Sequence, residues 1–291
     1  MRLMQQFKAT NEDAGKTILQ FLKKKLPIAF VYRIFRKKDV KINGKKAKKT
    51  DLLKGDDEIT VYGELKELER KTNPLDIIFE NDDFLILNKP KGIAVHEGNT
   101  VSFQDSLLRT LIEHYEAQGV TPFLVHRLDT NTSGCLIVAK KKSVLAMFQK
   151  LFKEHEVKKE YVLLLKGVIK QEGGTISSPL EGRNKEIVDA MTTYKVVQNF
   201  EEAGTCLVSA QPKTGRKHQL RIHFASIAHP VIMDQQYGDF EENHRWKKAY
   251  GLKSQMLHAS RISFDWKRER IEVQAKLPEE FSRMLKKLKK D

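Results

Sequence analysis

The chain of 291 residues contains only two cysteines, Cys135 and Cys206. Each stands alone in apolar sequence, which excludes a disulfide framework and reads as a reduced core thiol. Long apolar runs are also missing. No segment approaches the roughly 18 uninterrupted apolar residues that a membrane span needs, and Met1-Arg2-Leu3-Met4-Gln5-Gln6 has no apolar secretory core. The expectation is a cytoplasmic protein with no membrane partner. The nine histidines form no His-x-x-x-His pair and there is no Cys-x-x-Cys, so no metal site is expected. A Gly-x-x-x-x-Gly-Lys loop, a Gly-x-Gly-x-x-Gly turn and a Gly-x-Ser-x-Gly elbow are absent as well, which argues against nucleotide hydrolysis, dinucleotide redox chemistry and serine hydrolysis. No repeat or low-complexity tract is visible.

Positive charge is what the chain has in excess. The formal net charge is +15, and residues 23–54 carry thirteen lysines and arginines against Asp39 and Asp51, a net of +11. Such localised charge is the footprint of a phosphate-backbone partner; its plainer explanation is a solvated basic surface. Arg33, Arg36, Lys37, Lys38, Lys41, Lys45 and Lys46 are the candidate contacts.

Length suggests about two domains, and 40% hydrophobic residues suffice for a core. Residues 14–25 and 28–37 carry apolar residues at helical spacing on either side of Pro27. Strands follow at Val40-Lys41-Ile42, with a turn at Asn43-Gly44, and at Ile59-Thr60-Val61-Tyr62. This predicts a small module over 1–62, a charge-rich linker over 63–74, and a larger domain over 75–291. In the larger domain, strands are expected on either side of Asn81-Asp82-Asp83, around Leu136, and at 161–165, 190–197, 205–211 and 262–264. Helices are expected at 103–117 and at 143–154, the latter capped by Ser143. Runs of strands with interspersed helices define an α+β fold rather than regular βαβ repeats.

Three blocks combine polar chemistry with apolar flanks. His126-Arg127-Leu128-Asp129-Thr130-Asn131-Thr132-Ser133-Gly134 holds a single carboxylate between apolar runs. Lys159-Glu160-Tyr161 sets a tyrosine at the mouth of a strand. In Thr214-Gly215-Arg216-Lys217-His218-Gln219-Leu220-Arg221-Ile222-His223, alternation suggests a strand presenting Gln219, Arg221 and His223 on one face. Taken singly, each block is as well explained by a turn, core packing or a surface ion pair.

Together they resemble the RluA family of RNA pseudouridine synthases. The resemblance rests on His126-Arg127-Leu128-Asp129-x-x-Thr132-Ser133-Gly134, Lys159-x-Tyr161 and Gly215-Arg216-x-His218-Gln219-Leu220-Arg221-Ile222-His223. Asn88-Lys89-Pro90-x-Gly92, His229-Pro230 with Asp234 and Tyr237-Gly238, and Leu257-His258-Ala259 extend it over about residues 75–290. Residues 12–62 separately resemble the S4 RNA-binding domain, and the layout most resembles members acting on large-subunit ribosomal RNA.

The resemblance implies a pseudouridine synthase domain with a mixed, mainly antiparallel sheet and a central cleft. It also implies isomerisation of uridine to pseudouridine in RNA without cofactor, metal or nucleotide. Asp129 would be the essential carboxylate, Arg221 its ion-pair partner and Tyr161 the residue supporting the target base. Arg127 would either fill the space left by a flipped base or hold a phosphate. His126, His218 and Arg216 would be scaffold or RNA contacts. Nothing demands more than a monomer. Transfer RNA as substrate, and a noncatalytic RNA-binding assembly factor, are the competing expectations.

Overall fold

The computed structural model describes residues 4–26, 28–62, 75–96, 106–182 and 185–289. The predicted linker over 63–74 lies outside the described residues. The chain separates into two compact units, one holding residues 1–74 with 96–110 and the other 75–95 with 111–291.

In the first unit, β1 (Met4–Lys8), α1 (Ile18–Lys25), α2 (Ile28–Arg36), β2 (Val40–Ile42), β3 (Lys45–Lys46) and β4 (Glu58–Tyr62) follow in order. An antiparallel sheet runs β1-β4-β2-β3. Helix α1 starts where it does because Thr17 and Gln20 form a capping box, each side chain taking the other's backbone N–H. Its Ile18, Phe21 and Leu22 pack with Val31 and Ile34 of α2 and Ile59 and Val61 of β4. Asn43 and Gly44 both have positive φ, 47° and 77°, as the tight β2–β3 hairpin requires. Strand β1 has no counterpart in the sequence reading. Its Met-Gln-Gln-Phe-Lys is largely polar, and only pairing with β4 fixes it.

The chain continues through β5 (Ile77–Glu80), β6 (Phe84–Lys89), α3 (Leu107–Tyr115), β7 (Phe123–Leu124), β8 (Ser133–Ala139), α4 (Lys142–Lys153) and β9 (Lys158–Lys166). Then come β10 (Gly173–Ser177), β11 (Leu180–Glu181), β12 (Ile187–Val188), β13 (Met191–Phe200), β14 (Thr205–Pro212) and α5 (Gln219–Ser226). The chain closes with α6 (Phe240–Tyr250), β15 (Leu257–Trp266), β16 (Glu269–Gln274) and α7 (Glu279–Leu288). Ten strands form one sheet in the order β10-β13-β14-β9-β15-β8-β6-β5, with β16 on β15 and β7 on β8. Every pairing in it is antiparallel except β8 with β15. The expected mixed, mainly antiparallel α+β fold is therefore present.

Strand alternation sends side chains into distinct cores. Leu163 and Leu165 of β9, with Cys206, Val208 and Ala210 of β14, pack under Leu220 and Phe224 of α5. Leu164 and Leu207 join Trp246 of α6 and Phe281 and Met284 of α7. Ile86, Ile137 and Ile262 pack with Val144 and Phe148 of α4 and with Phe84, Phe264 and Trp266. Phe148 and Trp266 stack with centroids 4.8 Å apart. Both cysteines are free and buried, and burial raises each thiol to about 11.

Three local expectations need correction. Helix α4 begins behind Lys141 with no side-chain cap, so Ser143 sits inside the first turn. Helix α3 covers only Leu107–Tyr115 of the expected 103–117, of which 103–105 lie outside the described residues. The block 219–223 is the start of helix α5, not a strand. Leu220 and Ile222 mimic period-two alternation, but α5 buries most of its surface, so no polar stripe betrays the helical period. Among the described residues, no helix is long and apolar enough to cross a membrane.

Candidate active site

Helical geometry at α5 separates what a strand would have placed together. Gln219 and His223, four residues apart, share one helix face and both reach Thr192 on β13. Gln219 Nε2 also donates to the Met191 carbonyl at 2.9 Å, and its Oε1 accepts from Thr214 Oγ1 at 2.7 Å and the Arg216 N–H at 3.1 Å. His223 Nε2 donates to the Ser178 carbonyl at 3.1 Å, leaving Nδ1 to accept from the Thr192 hydroxyl at 2.9 Å. Both side chains are therefore anchors. Arg221 is directed elsewhere, towards Asp129 and Asp234.

Arg221 donates from Nε to Asp234 Oδ2 at 2.5 Å and from Nη2 to Oδ1 at 2.9 Å, a two-pronged pair. Its Nη1 donates to Asp129 Oδ2 at 3.2 Å. Burial opposes the charges of Arg221 and Asp234, yet their pairing wins: Arg221 is raised, and Asp234, which also accepts the Gln236 and Tyr237 N–H groups, is lowered. The Arg221 guanidinium lies 5.1 Å from the Tyr237 ring centre.

Asp129 sits on the connection into β8, where the Thr132 N–H closes a turn onto the Asp129 carbonyl at 3.0 Å. Gln255 Nε2 donates to Thr132 Oγ1 at 2.9 Å. His258 Nε2 donates to the Ala275 carbonyl at 3.2 Å, so Nδ1 accepts from Ser133 Oγ at 2.9 Å; burial keeps this imidazole neutral, at about 4. Gly134 has φ +111°, and a Cβ there would lie 2.1 Å from the Ala259 carbonyl oxygen. Only glycine permits this close approach of β8 to β15. Lys89, fully buried, donates to the carbonyls of Pro90 and Ile93 at 2.8 Å and of Thr130 at 3.2 Å. Burial brings it down to about 7, against the opposing pull of Asp129.

His218 precedes α5 in a left-handed conformation, φ 55°. Its Nε2 lies 3.7 Å from Asp129 Oδ1, and its Nδ1 is hydrogen bonded to the Tyr237 hydroxyl at 3.1 Å. Burial lowers its pKa, with Arg221 and Lys217 adding to the effect and Asp129 and Asp234 opposing it.

A cavity of about 340 Å³ opens on this group. Asp129, Tyr161 and Arg221 all line it, with Leu128 and Leu257 as apolar wall and Arg127, Arg216 and Lys217 at an exposed, cationic edge. Tyr161 is held in its phenol form by burial and by Asp129. The three expected chemical residues thus meet at one cavity. His126 lines it too, but its Nε2 accepts the Ile137 N–H at 3.0 Å and its ring rests 5.1 Å from Phe152. Burial, reinforced by Lys159, lowers it to about 3.

In the first unit, Lys37 and Lys38 are exposed after α2, Lys45 and Lys46 are exposed on β3, and Lys41 lies 5.1 Å from the Tyr62 ring centre. Arg33 and Arg36 fall on α2; their side chains lie outside the described residues. Sequence reasoning gave no role to Lys89, Asp234 or Tyr237. All three stood in matched blocks, but only the fold brings Asp234 and Tyr237 against Arg221 and Lys89 beneath the Asp129 loop. Among the described residues, no cluster of three or more His, Cys, Asp or Glu is arranged for a metal.

A cationic rim over a cavity holding one ion-paired carboxylate suits a nucleotide substrate. The same fold occurs in solved human proteins titled RNA pseudouridylate synthase domain containing 4 and domain containing 1. They match with TM-scores of 0.63 and 0.58 at 24% and 25% identity, over 75% and 76% of this chain and 95% and 96% of theirs. The family profile described as RNA pseudouridylate synthase matches residues 83–226. Proteins named ribosomal large subunit pseudouridine synthase C are similar along nearly the whole length. The one from Vibrio parahaemolyticus is 36% identical over 100% of this chain and 98% of its own, and that from Escherichia coli 33% over 96% and 95%. The chain belongs to the RNA pseudouridylate synthase family and is an enzyme.

Proposed function

We propose that this enzyme converts specific uridines of large-subunit ribosomal RNA to pseudouridine, with Asp129 as the catalytic carboxylate. The observation that carries the reading is Asp129 itself, ion-paired to Arg221 and facing a cavity that also holds Tyr161. The relatives' names supply the RNA. Forming pseudouridine breaks the bond from ribose C1′ to uracil N1, turns the base and joins C1′ to C5. A proton leaves C5 and one is gained at N1, so the reaction balances without redox partner or nucleotide. Asp129 serves either by adding to sugar or base or by taking a sugar proton; both routes need an ionised, fixed carboxylate. Arg221 holds it in place, and Tyr161 supports the base.

Reaching the uridine costs a few kcal/mol of unstacking. Arg127 and Arg216, exposed at the cavity edge, hold the displaced strand, and His126 shapes the wall. The first unit acts as an S4-like RNA-binding domain through its exposed lysines, with 63–74 as linker. The enzyme works as a cytoplasmic monomer.

The test is primer-extension mapping of pseudouridine on total RNA from a strain lacking the gene. Loss of large-subunit sites that the wild-type gene restores and Asp129→Asn does not is the expected result. Loss from transfer RNA instead would reassign the substrate, and unchanged RNA would favour a noncatalytic binding role.

A further inference from the structure

Beside the Asp129 cavity lies a larger one, about 650 Å³, and the two share Lys159, Pro212 and Thr214. Its size falls in the range of small-molecule sites. Three lysines, Lys158, Lys159 and Lys213, line it against a single carboxylate, Asp189. Its apolar lining includes Val157, Pro212 and Met191, and Met191 is 42% exposed despite being a large hydrophobic side chain. The chemistry assigned above to Asp129 uses none of these three.

The wall between the cavities is built to be rigid. Gln219, buried at the start of α5, grips Met191 through its carbonyl, Thr214 through its hydroxyl and Arg216 through its N–H. The Met191 N–H in turn donates to Thr214 Oγ1 at 3.3 Å. One amide therefore fixes the Asp129 side and the Met191 side in register, which is how a site for two connected groups is preorganised.

Resting on the RNA-isomerase reading, we infer that this second cavity receives the nucleotide next to the isomerised uridine, its base against Met191 and Pro212 and its phosphate on Lys158 and Lys213. Continuity with the Asp129 cavity favours that occupant, because a strand that delivers one nucleotide into the first cavity carries its neighbour to the shared wall. The lysines supply the phosphate contacts that position a strand. The methionine sulfur and the proline ring offer an apolar face to a base of any sequence.

The experiment compares the wild-type enzyme with Met191→Ala on synthetic stem-loops from 23S ribosomal RNA. The probe is the stem-loop bound most tightly, intact or with an abasic residue on one side of each uridine in turn. Affinity is read by filter binding. One flanking abasic residue should weaken wild-type binding about tenfold. Met191→Ala should weaken binding to intact RNA comparably and lose nothing further on that abasic RNA. Losses that multiply, or a flank that never matters, would overturn the assignment. Lys158→Gln with Lys213→Gln, which together release one phosphate, should lower the slope of log affinity against log salt by about 0.7–0.9; an unchanged slope removes the phosphate from the site. All three side chains are exposed, so the variants test contact and not folding. Product formation is recorded in parallel. A wild-type enzyme that makes no pseudouridine would defeat the isomerase reading, while the coupling in affinity still decides the cavity.

Discussion

Arg221 gives two of its hydrogen bonds to Asp234 and only one to Asp129. The guanidinium is anchored by the deeper carboxylate and lends its remaining donor to the one at the cavity. Asp234→Asn keeps the shape but removes the anchoring charge. The expected outcome is a fall of about 10- to 100-fold in kcat with nearly unchanged RNA affinity, measured by tritium release from C5-labelled RNA beside filter binding. A kcat equal to wild type would show that Arg221 is positioned by something else.

Gly134→Ala tests the closest backbone approach near the Asp129 loop. A Cβ 2.1 Å from the Ala259 carbonyl at φ +111° forces β8 and β15 apart. The cost expected is at least about 2 kcal/mol, a fall in Tm of at least about 3 °C for a chain of this size. An unchanged Tm in calorimetry would mean the strands can part freely.

Lys89→Met removes three donors from carbonyls that include Thr130, next to Asp129. The Thr130 carbonyl keeps the Gly92 N–H at 2.8 Å, but the Pro90 and Ile93 carbonyls lose the ammonium donor at a cost of about 1–3 kcal/mol each, so urea unfolding should shift to clearly lower denaturant. Activity should fall further than stability predicts, since the Asp129 loop loses its underside. Full activity in the folded variant would refute that link.

Acid should destabilise the protein through its buried imidazoles. His126 and His258 stand at about 3 and about 4 in the fold, below their ordinary 6.5. Between those values the unfolded chain binds protons that the folded chain refuses, so stability falls as pH drops from 6.5 towards 4. Each group contributes a slope of up to about 1.4 kcal/mol per pH unit. Urea midpoints at pH 7 and pH 5 measure it, and equal midpoints would contradict the neutral, buried assignment.

RNA affinity should depend steeply on salt if the first unit binds a phosphate backbone. Replacing Lys37, Lys38, Lys45 and Lys46 together by Gln should lower the slope of log affinity against log salt by about 3. An unchanged slope would move RNA binding elsewhere on the protein.

Much of this was legible in the sequence, and the gaps have physical causes. The β5–β6 hairpin and the central β8 strand announced themselves because apolar residues sit between turn signals. Asp129, Tyr161 and Arg221 were legible as blocks, and the structure gathers them at one cavity. Helix α5 was misread because burial on nearly all sides erases amphipathic periodicity. Strand β1 was missed because its stability comes from pairing. Asp234 and Lys89 were visible as residues but not as partners, since each owes its place to tertiary contacts no local pattern records.

The parallel pairing of β8 with β15, the single one among the described residues, joins residues 133–134 to 258–259, and the His258 bond to Ala275 lies later still. On a ribosome adding about 5–20 residues per second, the loop bearing Asp129 emerges several seconds before the strand that braces it. The nascent chain thus carries its whole reactive segment for a time without the frame that makes it competent. Catalytic readiness therefore waits on residues synthesised well after the reactive loop itself.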